Sequence, residues 1–248
     1  MLQLKGVTKT YAKGSVKAVD DLTLNVKRGE IFGFIGPNGA GKTTTIKMIA
    51  GILSPDSGSI SVAGYDMEQD ALMAKRNMGF VPDSHEMYDT LKGVEYINFM
   101  ADMYQVPQQR RMELLDQYVD VFGMEQYIEQ PIKSYSHGTK QKLTIIGALL
   151  HEPALWILDE PMTGLDPRMS HILKENMRQH CDKGNTVFFS THVLEVAEKL
   201  CDRIGIISEG KLIAVGTLEE LRNKRSGESL ENIFLQITGN GEKGGEWM

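Results

Sequence analysis

Gly36-Pro37-Asn38-Gly39-Ala40-Gly41-Lys42-Thr43 follows the apolar run Ile31-Phe32-Gly33-Phe34-Ile35 and leads into a helical pattern beginning at Thr43. The spacing, G-x-x-x-x-G-K-[ST], is that of a loop that holds a nucleotide triphosphate. Its glycines let the backbone curl so that successive N–H groups point at phosphate oxygens. Lys42 is then placed to reach the β- and γ-phosphates, and the Thr43 hydroxyl to hold Mg²⁺. In a chain with 25 glycines, four fixed positions arise by accident in on the order of one such sequence in a hundred. The strand before and the helix after lower that chance further. Gly36, Pro37, Asn38, Gly39, Ala40, Gly41, Lys42, Thr43 and the adjoining Thr44 are the expected phosphate contacts. The loop alone leaves the machine open, because kinases, GTPases, helicases and transporter motors share it.

The 248 residues allow one large domain, or a core with a smaller insertion, and are too few for two such nucleotide domains. A net charge of −6 argues against a chain whose main task is to grip nucleic-acid backbone, so no nucleic-acid partner is expected. Cys181 and Cys201 have no C-x-x-C partner and read as reduced thiols of a cytosolic protein, on a core or helix face. Met1-Leu2-Gln3-Leu4-Lys5 is no leader, and no apolar stretch approaches the ~20 residues that span a bilayer. A membrane role is therefore expected to come through a partner.

The first thirty residues alternate apolar and polar positions, as in Leu22-Thr23-Leu24-Asn25-Val26, and turn at Lys27-Arg28-Gly29-Glu30. That pattern predicts short antiparallel strands in a β layer beside the main sheet. Apolar runs at Ile31–Ile35, Gly79–Val81, Leu155–Leu158, Thr186–Phe189 and Ile204–Ile207, with helical patterns between them, predict a mostly parallel α/β sheet. From Ser84 to Pro131 the spacing of Leu91, Val94, Ile97 and Ala101, and then of Leu114, Leu115, Tyr118, Val119 and Phe122, is helical. The expectation is one domain over 1–239: a nucleotide core with its β subdomain at 1–83 and 155–239, and an inserted helical subdomain at 84–154. Leu230, Ile233, Phe234 and Ile237 predict a short one-sided helix, and the glycine- and charge-rich 240–248 a disordered tail.

The run Ala154-Leu155-Trp156-Ile157-Leu158 ends in Asp159-Glu160, which puts two carboxylates at the carboxyl end of a buried strand, where ligands of parallel sheets bind. Asp159 is expected to hold Mg²⁺ through water, and Glu160 to orient or deprotonate the water that attacks the γ-phosphate. The alternative is an Asp-Glu pair that merely caps a helix.

Four further segments fall in the order and spacing of the ABC-type ATPases. From about Leu2 to Gly239 the sequence resembles the nucleotide-binding subunit of a bacterial ABC transporter. The resemblance implies a P-loop NTPase fold that binds and hydrolyses ATP with Mg²⁺. Tyr11, ahead of the first β layer, matches the aromatic that stacks on adenine; an isolated Tyr is otherwise ordinary packing. Ser134-Tyr135-Ser136-His137-Gly138-Thr139-Lys140-Gln141 stands where the family has its Leu-Ser-Gly-Gly-Gln signature, so Ser136, His137, Gly138 and Thr139 are expected to meet the ATP of a partner subunit. Gly164-Leu165-Asp166 matches the loop that crosses the dimer, and His192, after Ser190-Thr191, the switch histidine that contacts the γ-phosphate. The resemblance thus names Lys42, Glu160 and His192 as catalytic. It implies a second ATP-binding subunit, identical or related, with each ATP lying between one chain's phosphate loop and the other's signature.

Two positions depart from the family. Val81-Pro82-Asp83 puts a carboxylate where a neutral amide is usual, and an ionised Asp only accepts hydrogen bonds. Asp83 either reaches Mg²⁺ through water or only opens a turn. His137 replaces a glycine; a left-handed backbone there would cost roughly 1–2 kcal/mol. Its imidazole either donates to phosphate or is simply tolerated. The Ser-x-Gly-x-Lys-Gln form, Asp202-Arg203-Ile204-Gly205 and the closing Ser229–Gly239 segment resemble the exporter branch that includes antibiotic, lantibiotic and EcsA-like ATPases. The leading expectation is a motor at the cytoplasmic face of a membrane, bound to an integral membrane transporter subunit near Asp83–Leu91. Met87 and Tyr88 there are either docking contacts or core residues. A soluble ABC-type ATPase of DNA, ribosomes or iron–sulfur assembly is the alternative; the features expected of that class, a long coiled-coil insertion, a second ATPase domain, zinc-finger cysteines or a basic tail, are missing from this sequence. A non-hydrolysing regulator would need a defective catalytic set.

Overall fold

The computed structural model describes residues 1–11, 16–84, 87–223 and 229–237; the expected tail at 240–248 lies outside them. Two sheets form the framework. The first joins β1 (Leu2–Tyr11), β2 (Val16–Val26), β4 (Ser57–Val62) and β5 (Tyr65–Asp66) in the order β2-β1-β4-β5, all antiparallel. Leu2 and Leu4, and Leu22, Leu24 and Val26, alternate inward as the period of two requires. These strands are long rather than short: β1 has 10 residues and β2 has 11, with register shifts along β1 that absorb the extra twist.

The second sheet runs β10 (Lys211–Gly216), β9 (Arg203–Ser208), β3 (Ile31–Ile35), β8 (Thr186–Thr191), β7 (Leu155–Leu158) and β6 (Met78–Val81). Five strands are parallel and β10 returns antiparallel at the edge. The two faces of its central strands feed different cores. Phe32, Phe34, Leu155, Ile157 and Phe188 pack toward the first sheet, with Phe32 and Phe188 stacked at 5.7 Å. Ile31, Trp156, Leu158, Val187 and Phe189 pack toward the helices. Burial on both faces is why these strands read as unbroken apolar runs.

The inserted segment is helical: α3 (Gly93–Met103), α4 (Gln108–Phe122), a 3₁₀ turn at Ile132–Ser134 and α5 (His137–Leu149). Its Ile97, Ala101, Leu114, Phe122 and Leu143 share the helix-side core with β7 and β8. The other helices are α1 (Lys42–Ile49), α2 (Ala71–Arg76), α6 (Pro167–Asp182), α7 (Leu194–Leu200), α8 (Leu218–Asn223) and α9 (Leu230–Ile237). Leu230 and Ile233 of α9 are buried against α7 and β9. Among the described residues no helix is long and apolar enough to cross a membrane.

Candidate active site

β3, β8, β7 and β6 are consecutive in the sheet, and each delivers one part of the site at its carboxyl end. The phosphate loop follows β3, and Thr191-His192 ends and follows β8. Asp159-Glu160 follows β7, and Asp83 lies two residues past β6. Parallel register aligns these ends: Ile35 pairs with Thr191, Leu158 with Phe189, and Val81 with Leu158.

The phosphate loop admits no side chain at two of its glycines. A Cβ at Gly36 would stand 2.4 Å from the Ile207 carbonyl oxygen, and one at Gly41 would stand 2.3 Å from that of Ala18. Gly41 also holds φ 106°, a left-handed value that glycine adopts freely. The loop is therefore wedged between β9 and β2. The Gly210 N–H donates to the Ala40 carbonyl at 2.9 Å and holds the same junction. Tyr11 ends β1, within the β layer rather than ahead of it, is 43% exposed, and pairs with Val16 two residues before Ala18. The β layer thus carries Tyr11 to the side of the loop where Ala18 meets Gly41.

Lys42 is buried; its ammonium donates to the Gly36 carbonyl at 2.7 Å and the Pro37 carbonyl at 3.3 Å. It also pairs with Glu160 Oε1 at 3.5 Å, while His192 Nδ1–H donates to Glu160 Oε2 at 3.0 Å. One carboxylate thus meets the Lys42 ammonium on one oxygen and the His192 ring N–H on the other. Glu160 holds φ 47°, uncommon for a residue with a side chain, so the backbone stores strain of order 1–3 kcal/mol at this position.

Asp159 is buried, and its Oδ1 accepts from the Ser190 hydroxyl. The same hydroxyl accepts the Glu160 N–H at 3.0 Å, so Ser190 ties both carboxylate residues to β8. Burial raises the Asp159 carboxyl above its ordinary pKa, hydrogen bonds from Ser190 and Thr43 lower it, and the charges of Asp83 and Glu160 raise it again. Thr43 and Asp159 therefore meet, and Asp83 faces them from an exposed turn.

This donor set fits Mg²⁺: one hydroxyl and one carboxylate, with a second carboxylate near, all hard oxygens. Among the described residues no three His, Cys, Asp or Glu side chains converge as a metal cage.

The signature segment opens α5. Ser136 is the N-cap, its hydroxyl accepting the Thr139 N–H at 3.2 Å and lying 2.8 Å from the Thr139 hydroxyl. His137 is the first residue of α5 and is not among the described residues with positive φ. The strain expected from replacing glycine there does not arise. Gly138 follows in the same turn. Asp166 serves as the N-cap of α6, accepting the Met169 N–H at 2.8 Å ahead of Pro167.

Sequence reasoning missed two participants. Ser190 stands one residue before a strand end and carries no signature of its own. Gln141 is buried and donates from Nε2 to the Pro161 carbonyl at 2.6 Å, joining α5 to the residue after Glu160. Its place within the signature segment was the only signal.

Beside the site, Met87 packs into the helix-side core with Thr144 near its sulfur, whereas Tyr88 is 65% exposed and stands edge-on to the half-exposed Phe99. Cys181 and Cys201 are both free thiols. Burial pushes Cys181 up to about 11 and Cys201 higher still, so neither is a nucleophile at neutral pH.

Comparison with known proteins gives the same picture. The family model described as ABC transporter matches residues 19–163. The linearmycin resistance ATP-binding protein LnrL of Bacillus subtilis (strain 168) is 37% identical over 239 residues, covering 96% of this chain and 76% of that protein. A solved ATP-binding subunit of an ABC transporter superposes with a TM-score of 0.91 at 34% identity, covering 96% of this chain and 99% of that one. A dimeric post-hydrolysis structure of the ATP-binding cassette MJ0796 with ADP and Pi shares the fold, with a TM-score of 0.79 at 24% identity over 88% of this chain and 98% of that one.

Proposed function

Because the chain belongs to the ABC transporter family, as an ATP-binding and ATP-hydrolysing subunit, we propose that it powers export through a separate membrane subunit. It closes with a second ATP-binding subunit around two ATP molecules. The observation that carries this reading is the convergence of Lys42, Asp159, Glu160 and His192 on the ends of three adjacent strands, with Glu160 held by Lys42 and His192.

Each residue then has a task that its surroundings support. The loop amides of 36–44 cradle the phosphates, and Lys42 turns its ammonium from the loop carbonyls toward phosphate oxygens. Tyr11, exposed at the rim, offers its ring to the base. Thr43, and Asp159 and Asp83 through water, would hold Mg²⁺, which would neutralise phosphate charge when bound. Glu160 positions and deprotonates the attacking water. His192, donating to Glu160, stabilises charge on the γ-phosphate. Ser136, His137, Gly138 and Thr139 at the N-terminus of α5 offer amides, a hydroxyl and a helix dipole to the partner's ATP. Asp166 and its loop meet the partner.

Export is favoured by the resistance role named for the B. subtilis relative. The dimeric cassette supports the pairing of subunits, and the exposed Tyr88 and Phe99 offer an apolar docking edge to the membrane subunit. Two measurements test the reading. Glu160→Gln should cut phosphate release by about 10²–10⁴-fold, and affinity capture from detergent-solubilised membranes should recover an integral membrane protein. Equal rates in wild type and variant would remove the catalytic assignment. Recovery of soluble proteins alone would favour the soluble ATPase class.

A further inference from the structure

Glu160 runs against two local preferences at once. It carries a side chain yet holds φ 47°, and it precedes Pro161, a place that favours extended backbone. Such a conformation persists only where the surroundings over-determine it. On the carbonyl side the bond is local, with Thr163 N–H donating at 3.1 Å. On the amide side it is not: the Glu160 N–H donates to Ser190 Oγ at 3.0 Å, from the end of β7 across to β8. Among the described residues this N–H has no other acceptor. Gln141 on the Pro161 carbonyl and the Asp166 cap hold the loop downstream of it.

Ser190 is fully buried on a strand where Val187, Phe188 and Phe189 are buried with it. Burial alone would suit an apolar residue there, since a hydroxyl out of water is costly unless it is bonded. Both of its bonds go to the acidic pair. Its proton goes to Asp159 Oδ1, which leaves a lone pair of Oγ for the Glu160 N–H. Amide, hydroxyl and carboxylate form a chain whose bonds polarise one another. β8 and the residue after it therefore hold Glu160 twice, at the backbone through Ser190 and at the carboxylate through His192.

We infer that Ser190 is a positioning residue for hydrolysis: its hydroxyl keeps the Glu160 backbone left-handed and so aims the carboxylate between Lys42 and His192. The inference rests on the proposed reading that Glu160 acts on the attacking water. Without an acceptor at 190, residue 160 relaxes toward the extended backbone that Pro161 favours, and the carboxylate leaves its two partners.

The test is phosphate release by the purified full-length chain at saturating Mg-ATP, beside titration with a fluorescent ATP analogue and a thermal midpoint. Ser190→Ala should lower kcat by about five- to thirtyfold, the scale of one lost buried hydrogen bond. KM and analogue affinity should stay within about twofold of the wild type. Ser190→Thr keeps a hydroxyl and should recover most of kcat. Ser190→Cys, a weak donor and acceptor of near size, should behave as Ser190→Ala and takes its place if that variant does not fold. In a Glu160→Gln background, read under single turnover, Ser190→Ala should add less than about twofold, because its effect passes through the missing carboxylate. A role in folding alone would lower the midpoint, and the two losses would multiply. Wild-type kcat in Ser190→Ala, or full multiplication with Glu160→Gln, overturns the inference and leaves the catalytic reading standing. Equal rates in wild type and Glu160→Gln remove the catalytic reading and the inference with it.

Discussion

At the scale of single residues, the site works by setting charge against burial. Asp159 is out of water beside two further carboxylates, and hydrogen bonds from Ser190 and Thr43 favour its ionised form. The phosphate loop, Asp159, Glu160 and His192 were legible because each sits at a fixed offset from an apolar strand. Ser190 was not, because its role comes from the pairing of β7 with β8, which no local pattern encodes. Away from the site, burial holds two histidines at about 4: His151, stacked on Tyr104 at 3.6 Å with Nε2 on the Met78 carbonyl, and His180 beside Trp156. Both pKa values lie below the unfolded 6.5, so the unfolded chain takes up protons first and acid favours it. Stability should therefore fall as pH drops through 6.5 toward 4, by about 1.4 kcal/mol per pH unit for each histidine within that window. Asp159, raised instead, acts in the opposite sense. Urea unfolding at pH 7 and pH 5 checks this, and His151→Gln should flatten the slope; an equal midpoint at both pH values would contradict it.

At the scale of elements, the parallel strands were readable because they are buried on both faces, and the helical insertion because its apolar spacing is that of one packed side. β4, β5 and β10 carry few strand signals: Ser57-Gly58-Ser59 is exposed, β5 has two residues, and β10 is a partly exposed edge. Their existence depends on pairing, β4 with β1, β5 with β4 and β10 with β9. The length of β1 and β2 likewise follows from mutual pairing. Asp166 shows an element-level duty beneath a proposed site residue, since it caps α6. Asp166→Ala should cost about 0.5–2 kcal/mol, and Asp166→Ser much less. Chemical denaturation of the three proteins reads this; equal loss in both variants would show that the cap contributes little. If Asp166→Ser keeps stability but lowers hydrolysis, the carboxylate has a task in the dimer beyond the cap.

At the scale of the whole molecule, two sheets and a helical insertion place the proposed half of a nucleotide site at one end of the parallel strands. The proposed other half, α5 with Ser136 at its cap, sits on the insertion and meets the Glu160 loop through the Gln141–Pro161 hydrogen bond. On the proposed function, two such chains complete each other around ATP. Light scattering coupled to size exclusion on Glu160→Gln tests it most directly. A monomer without nucleotide and a stable dimer with Mg-ATP are expected, because ATP then bridges the subunits and is not consumed. A species that stays monomeric at high concentration in Mg-ATP, alone and with the membrane subunit present, would contradict it.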